Sequence, residues 1–467
     1  MSHLTKIVAT IGPSSESEKM ISRLIESGVD VFRFNLKHND LAWHAQKISA
    51  VKKIAADLNK NIGILADLQG PEIRVRLTDR PIKVNKGQLV ELGSEAFTIS
   101  HPQISEYLRP GQHVLIEDGL LEFSVVKSKG KVFLESLGEG TIYDKKNFNI
   151  PGADFPIPVL EDRDVAALEM ISKNDVDFVA LSFVRDTNDV SDLKKEMARM
   201  KIGAKVIAKI ETEVAIKNLG KIAEIVDGLM VARGDLGVEI SLEKVPYYQK
   251  EIIKTARKKN IFVITATQML QSMIDRSSPT RAEVSDVAGA FYDRTDAVML
   301  SAETATGHHV EAATKYMSKI LSFSEEHGNF DTKIPVNPKT KDRTDLICES
   351  AFNLYTSLIE SGKKTAGFLV FTQSGKTARS ISRYHPLLPI YAFVSDKKVA
   401  DSLSVNYGVK TFLHPAGKDE VTKEDILKAI RILLDKNFVK KDMTLVVLHG
   451  DYWAVTGGTS TVRVINV

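Results

Sequence analysis

Strand-like and helix-like stretches alternate at the start of this chain, stop alternating between about residues 72 and 158, and then resume. This interrupted rhythm restricts the fold more than any other feature. In the first part, β-like runs at residues 6–11, 29–36 and 62–68 are separated by stretches of helical apolar spacing, including 20–26 and 41–58. Ser14, Ser15 and Ser17 offer hydroxyl caps for the first helix, Glu16 and Glu18 offer early acids, and Gly28 closes it. Past residue 158 the strands fall at 178–184, 205–210, 229–232, 261–265 and 297–300, with helices such as 165–172, 190–200 and 245–259 between them. Strands alternating with helices call for parallel pairing. Counted across the interruption there are eight strand–helix units, the number that closes a parallel barrel.

The interruption itself carries short alternating runs, such as residues 73–77 and 123–126, punctuated by Gly87, Gly111, Gly119 and Gly130. Lys129-Gly130 between two such runs reads as a hairpin turn. The stretch ends at a proline-rich hinge, Pro151-Gly152 to Pro156-Ile157-Pro158. After a Pro/Lys/Asp-rich linker a third unit starts near residue 335, with helices at 345–361 and 424–434 and strands at 366–371, 390–394, 409–413 and 443–448. The expected architecture is a (β/α)8 barrel built from residues 1–71 and 159–334. An all-β lid, 72–158, is inserted into it, and an open α/β domain, 335–467, follows.

Polar residues gather at the C-terminal ends of the barrel strands: Arg33 and Asn35, Asp67, Ser182, Lys209 and Glu211, Asp235, Thr267 and Ser301. Each alone suits a cap or a turn. All on one edge, they mark the catalytic face of such a barrel. Lys209-Ile210-Glu211 and Val231-Ala232-Arg233-Gly234-Asp235-Leu236-Gly237 stand out, because in each an apolar run stops at charge. Buried carboxylates without a partner are costly, so two of them with a lysine point to a divalent cation and an oxyanion. A net charge of +3 does not imply a nucleic-acid partner, and the single cysteine, Cys348, excludes a disulfide framework or a cysteine zinc site. No apolar run approaches the length that crosses a bilayer. A soluble cytoplasmic protein is the expectation.

At this point the chain resembles pyruvate kinase, over essentially its whole length. The resemblance rests on Lys6-Ile7-Val8-Ala9-Thr10-Ile11-Gly12-Pro13, Gly70-Pro71-Glu72-Ile73-Arg74, Lys209-Ile210-Glu211, the 231–237 run, Thr265-Ala266-Thr267-Gln268-Met269-Leu270 and Met299-Leu300-Ser301-Ala302-Glu303-Thr304, in the family's order. It implies phosphoryl transfer from phosphoenolpyruvate to ADP, giving pyruvate and ATP in glycolysis, and a homotetramer. By the same resemblance Glu211 and Asp235 would hold Mg²⁺ or Mn²⁺, hard cations that prefer carboxylate oxygen. Lys209 would face the transferred phosphoryl group and Arg33 would add a forked cation. Ala232, Arg233, Gly234, Asp235 and Ser182 would line the substrate site, with backbone N–H groups at the helix start on the substrate carboxylate. Thr267 and Ser301 would relay a proton to the enolate carbon. Arg74 and Lys146, with His38 and Asn35, would reach the nucleotide. His308-His309 reads as a solvated loop.

Two places depart from the family pattern. Relatives carry Ser where Lys37 stands and Gly where Asn39 stands, and they hold K⁺ near Asn35, that Ser, Asp67 and the residue at Leu68. The Lys37 ammonium is expected to occupy the monovalent position among Asn35, Asp67 and Leu68, so that K⁺ is not required. In the third domain, Thr372-Gln373-Ser374-Gly375-Lys376-Thr377 lies between strand and helix, an anion nest where relatives bind an effector phosphate. The stretch from His449 to Gly458 lacks the basic residues that many relatives use for a second phosphate, and it carries Asp451. A monophosphate activator is therefore expected over a bisphosphate. Two other readings stay open: a metal-dependent barrel acting on another pyruvate enolate, and a non-catalytic effector sensor.

Overall fold

The computed structural model describes residues 3–328, 342–414, 421–450 and 458–467. Eight parallel strands close the barrel: β1 (Lys6–Thr10), β2 (Val31–Asn35), β3 (Gly63–Asp67), β4 (Phe178–Leu181), β5 (Lys205–Ile210), β6 (Gly228–Ala232), β7 (Phe262–Ala266) and β8 (Ala297–Leu300). Each pairs in register with its neighbours, and β8 returns to β1 through Lys6↔Ala297 to Ala9↔Leu300. The strands are buried on both faces, as expected where helices cover one side and an inner core the other. Of the serines offered as caps for the first helix Ser17 is the one that acts, and the cap of the second helix, Asp40, was not singled out from the sequence. Ser17 accepts the Met20 amide to open the helix Glu18–Glu26, and Asp40 accepts that of Trp43 to open Leu41–Asp57.

Inside the barrel, Val8, Val31, Leu65, Phe178, Ile207, Met230, Phe262, Ile264 and Met299 form a separate apolar cluster. Val405 from the C-terminal domain belongs to that cluster and is fully buried. It closes the barrel floor like a plug. The seat is tight: a Cβ on Gly63 would lie 2.2 Å from Ser404 Oγ and 2.9 Å from the Phe178 ring, so any larger residue there would have to displace them. Polar contacts hold the same interface. Lys52 Nζ lies 2.8 Å from Asp177 Oδ2 and 2.9 Å from Asp401 Oδ2, and the Tyr407 amide donates to Asp296 Oδ1 at 3.2 Å.

The insertion is mostly β. Phe148–Asn149, His113–Ile116, Leu121–Ser128, Lys131–Ser136 and Leu89–Leu92 make a five-stranded antiparallel sheet. Lys129 (φ +51°) and Gly130 (φ +78°) are its expected two-residue hairpin turn, both residues left-handed as that turn requires. One turn of α-helix, Ile104–Tyr107, departs from the all-β expectation. It is too short to leave a helical apolar period in the sequence.

The C-terminal domain is an open sheet of β9 (Thr365–Phe371), β10 (Ile390–Val394), β11 (Val409–Leu413), β12 (Thr444–Gly450) and β13 (Thr459–Asn466), ordered β11-β10-β9-β12-β13. The last strand is antiparallel to β12 and was not anticipated. As a partly exposed edge it is polar and alternating rather than a continuous apolar run. The linker residues 335–341 and residues 451–457, Asp451 among them, lie outside the described residues.

Candidate active site

The strand ends converge as the sequence implied. On β2, Arg33 points its guanidinium inward: Nε donates to Asp67 Oδ2 at 2.7 Å and Nη1 to Thr10 Oγ1 at 3.1 Å. On β5, Lys209 Nζ sits 2.8 Å from Glu211 Oε1 and 3.4 Å from Asp67 Oδ1, and donates to Ser182 Oγ at 2.8 Å. Ser182 passes its own hydrogen to the Leu68 carbonyl at 2.7 Å. Glu211 Oε2 accepts the Phe183 amide at 2.7 Å. Five side chains from β2 to β5 thus form one buried network of alternating charge.

Burial sets the electrostatics. It works against the Lys209 ammonium, but Asp67 and Glu211 outweigh it and hold its pKa above the usual lysine value. Burial also opposes ionisation of Asp67, yet Lys209 and Arg33 keep its carboxyl below the ordinary range. Glu211 goes the other way: burial, helped by the charge of Asp235, pushes it up to about 7 against the pull of Lys209. Asp235 is raised mainly by burial. Glu211 Oε1 faces the Lys209 ammonium at 2.8 Å and takes no amide or hydroxyl hydrogen bond among the described residues. A buried carboxylate whose pKa is raised together with that of a second carboxylate, even beside an ammonium, is the environment that a divalent cation relieves. The residues present therefore fit Mg²⁺ or Mn²⁺ at Glu211 and Asp235.

Between mouth and lid lies a cleft of about 1330 Å³, lined in part by Asp118 of the lid and by Gly234, Asp235, Glu239 and Gln268 of the barrel. Ala232 ends β6 as the cap of the helix Arg233–Ile240. The Gly234 amide donates to Thr267 Oγ1 at 2.9 Å, so it is engaged within the protein. Ser301 Oγ is buried with no hydrogen-bond partner among the described residues. At the lid root, Arg74 pairs with Glu72 (Nη2 to Oε2, 2.6 Å) and Lys146 with Glu117. The two meet through the bridge Arg74↔Asn147 and the bond from the Val75 amide to the Lys146 carbonyl, 2.9 Å. The His38 imidazole is exposed, its pKa lowered by partial desolvation and by Lys37. His308 is likewise exposed, 3.8 Å from Asp275.

Two expected placements differ. The Lys37 ammonium pairs with Glu72 and not with Asn35 or Asp67. Both Asp67 oxygens already face cations, Arg33 and Lys209, and the Asn35 Oδ1 takes the Lys37 backbone amide at 3.3 Å. The Arg233 side chain turns away from the mouth to Thr267, Gln268 and Asp286. Glu72 is the residue at this site that sequence reasoning did not single out. It was visible inside the Gly70–Arg74 motif, yet only the structure shows it shared between Lys37 and Arg74.

In the C-terminal domain, Gly375 adopts φ +78°. Thr372 and Thr377 are buried, the latter 2.7 Å from Thr459 Oγ1. The Ser374 carbonyl accepts Arg379 Nη2 at 3.1 Å, and Lys376 pairs with Asp342.

Comparison with known proteins agrees with the geometry. The family model of the pyruvate kinase barrel domain matches residues 2–314, and that of the pyruvate kinase alpha/beta domain matches residues 347–465. Pyruvate kinase of Corynebacterium glutamicum is 37% identical over 474 residues, covering 99% of this chain and 98% of that protein. That of Staphylococcus epidermidis is 38% identical over 474 residues, covering 98% of this chain and 78% of the relative. The crystal structure of a pyruvate kinase from Cryptosporidium parvum superposes with a TM-score of 0.91 at 31% identity, over 99% of this chain and 96% of that one. With a closed eight-stranded barrel, an α/β C-terminal domain and full-length matches of this kind, the chain belongs to the pyruvate kinase family of phosphotransferases.

Proposed function

We propose that this chain moves the phosphoryl group of phosphoenolpyruvate to ADP, releasing pyruvate and ATP, as a soluble cytoplasmic enzyme of glycolysis. The observation that carries the reading is the Arg33–Asp67–Lys209–Glu211 network at the barrel mouth. Asp67 fixes both cations in place. Lys209 and Arg33 then present fixed positive charge to the phosphoryl group as it leaves the enol oxygen, a preorganised arrangement that needs no rearrangement during transfer. Glu211 and Asp235 would hold Mg²⁺ or Mn²⁺, which would neutralise negative charge developing on the substrate. Thr267 and the orphaned Ser301 hydroxyl deliver a proton to the enolate carbon. Arg74 and Lys146, with His38 and Asn35 nearby, meet the ADP phosphates when the lid closes and excludes water.

The Lys37 substitution supports turnover without K⁺. Its ammonium supplies a permanent +1 charge from the Glu72 side of the monovalent position rather than from within it. Thr372, Ser374, Gly375, Lys376 and Thr377 would receive the phosphate of an activator, a monophosphate, with Lys376 released from Asp342 on binding. The assembly is a homotetramer.

The test is a coupled assay of pyruvate formation from phosphoenolpyruvate and ADP, run with K⁺ and with K⁺ replaced by tetramethylammonium, across a panel of sugar phosphates. Absence of pyruvate formation refutes the reaction. A large drop without K⁺ refutes the Lys37 role, and equal or tighter response to fructose 1,6-bisphosphate refutes the monophosphate reading.

A further inference from the structure

The turn after β7 is held in a conformation its own residues disfavour. Thr267 has φ +66° and Gln268 has φ +54°. A β-branched residue is an outlier in the left-handed region, because its Cβ crowds the following carbonyl. The turn also dictates where the Thr267 hydroxyl points, since Oγ1 donates to the Ala266 carbonyl at 2.7 Å and accepts the Gly234 amide at 2.9 Å.

One side chain gathers the carbonyls of this turn. Arg233 Nη2 donates to Thr267 O at 2.7 Å and to Gln268 O at 3.3 Å, and Nε reaches Ala266 O and Thr267 O, each at 3.3 Å. On its far side Nη1 bonds Asp286 Oδ1 at 2.7 Å and Gln249 Oε1 at 3.4 Å. The guanidinium is largely buried, and its planar fork places five donors where a lysine has one mobile head. The helix Val245–Lys259 carries Gln249 and the helix Arg281–Tyr292 carries Asp286, so the turn is referenced to two rigid elements of the barrel wall.

We propose that Arg233 is a positioning residue: its guanidinium holds the left-handed Thr267–Gln268 turn and thereby aims the Thr267 hydroxyl at the barrel mouth. Arg233 itself touches no reacting atom. The proposal rests on Thr267 assisting proton delivery to the enolate carbon.

Four proteins test it: wild type, Arg233→Lys, Thr267→Ala and the double variant. Lysine keeps a cation beside Asp286, and thermal melting verifies that each variant folds. Two rates are measured, steady-state turnover and the exchange of pyruvate methyl hydrogens for deuterium in D2O with Mg²⁺, followed by proton NMR. Arg233→Lys is expected to lower kcat at least tenfold with KM for phosphoenolpyruvate within twofold, and to slow exchange by the same factor. In the Thr267→Ala background the same change is expected to cost less than twofold, because the group it aims is gone. An equal loss in both backgrounds, or a loss carried by KM, overturns the proposal and leaves the Thr267 role standing. If Thr267→Ala alone leaves turnover and exchange intact, the Thr267 role fails and the proposal fails with it.

Discussion

Replacing Lys209 by Met removes the cation at the centre of the site while keeping its apolar stem. At an effective dielectric of about 20, an ion pair at 2.8 Å is worth ~6 kcal/mol and one at 3.4 Å ~5 kcal/mol. Desolvation of the buried ammonium offsets most of that attraction, so the pair's net contribution is far smaller. What the variant loses is set by what is left behind. Asp67 keeps Arg33, but Glu211 keeps only the Phe183 amide. A buried charge stripped of its partner costs roughly 3–5 kcal/mol. Glu211 already titrates near 7, so at neutral pH it takes up a proton instead, and the loss of stability falls at the low end, about 3 kcal/mol. Turnover suffers more, since one preorganised charge facing a transferring phosphoryl group is worth roughly 10³-fold or more. Binding of Mn²⁺ moves the opposite way: the ammonium competes for Glu211 Oε1, so the variant is expected to bind the ion as tightly as wild type or more so above pH 8. The assays are urea denaturation, coupled pyruvate formation and calorimetric Mn²⁺ titration. Turnover within tenfold of wild type, or loss of Mn²⁺ binding in a folded variant, refutes the reasoning.

Mn²⁺ affinity of the wild type should fall as pH drops below about 7, approaching tenfold per unit, because Glu211 must lose its proton to bind the ion; a flat titration between pH 6 and 8 would count against the assignment. Burial raises Asp296 to about 7, so its contribution to stability declines as pH rises from the unfolded value near 4 to 7. Between pH 5 and 8 wild type should lose roughly 2–3 kcal/mol relative to Asp296→Asn, read from paired denaturation curves. Val405→Ala empties the barrel floor and should cost about 2 kcal/mol, from two buried methyl groups plus the cavity. Val405→Ile tests the fit in the other direction, and a neutral Val405→Ala would show that the floor does not need the plug.

Much of the fold was legible because its signals are local. Apolar strand runs, the Ser17 cap and the Lys129-Gly130 turn each report on a few consecutive residues, and all eight barrel strands fall where those signals put them. The helix Ile104–Tyr107 and the strand Thr459–Asn466 escaped for the same reason: one is too short for a period, the other too polar for a core run. At the site, Arg33, Asp67, Ser182, Lys209 and Glu211 were named from their places at the strand ends and share one network.

By itself the sequence determined the order of elements, the residue types at each strand end and, through ordered motifs, the family. The tertiary structure alone decided who pairs with whom. Lys37 went to Glu72 because Asp67 was already shared by Arg33 and Lys209. Arg233 turned to the Thr267 carbonyl because Asp286 and Gln249 anchor its far side. Val405 reached the barrel floor from a domain that follows every barrel strand in the sequence. Local patterns report the backbone's preferences. Competition among buried charges, and the filling of a cavity by a distant segment, depend on distances that exist only once the chain has closed.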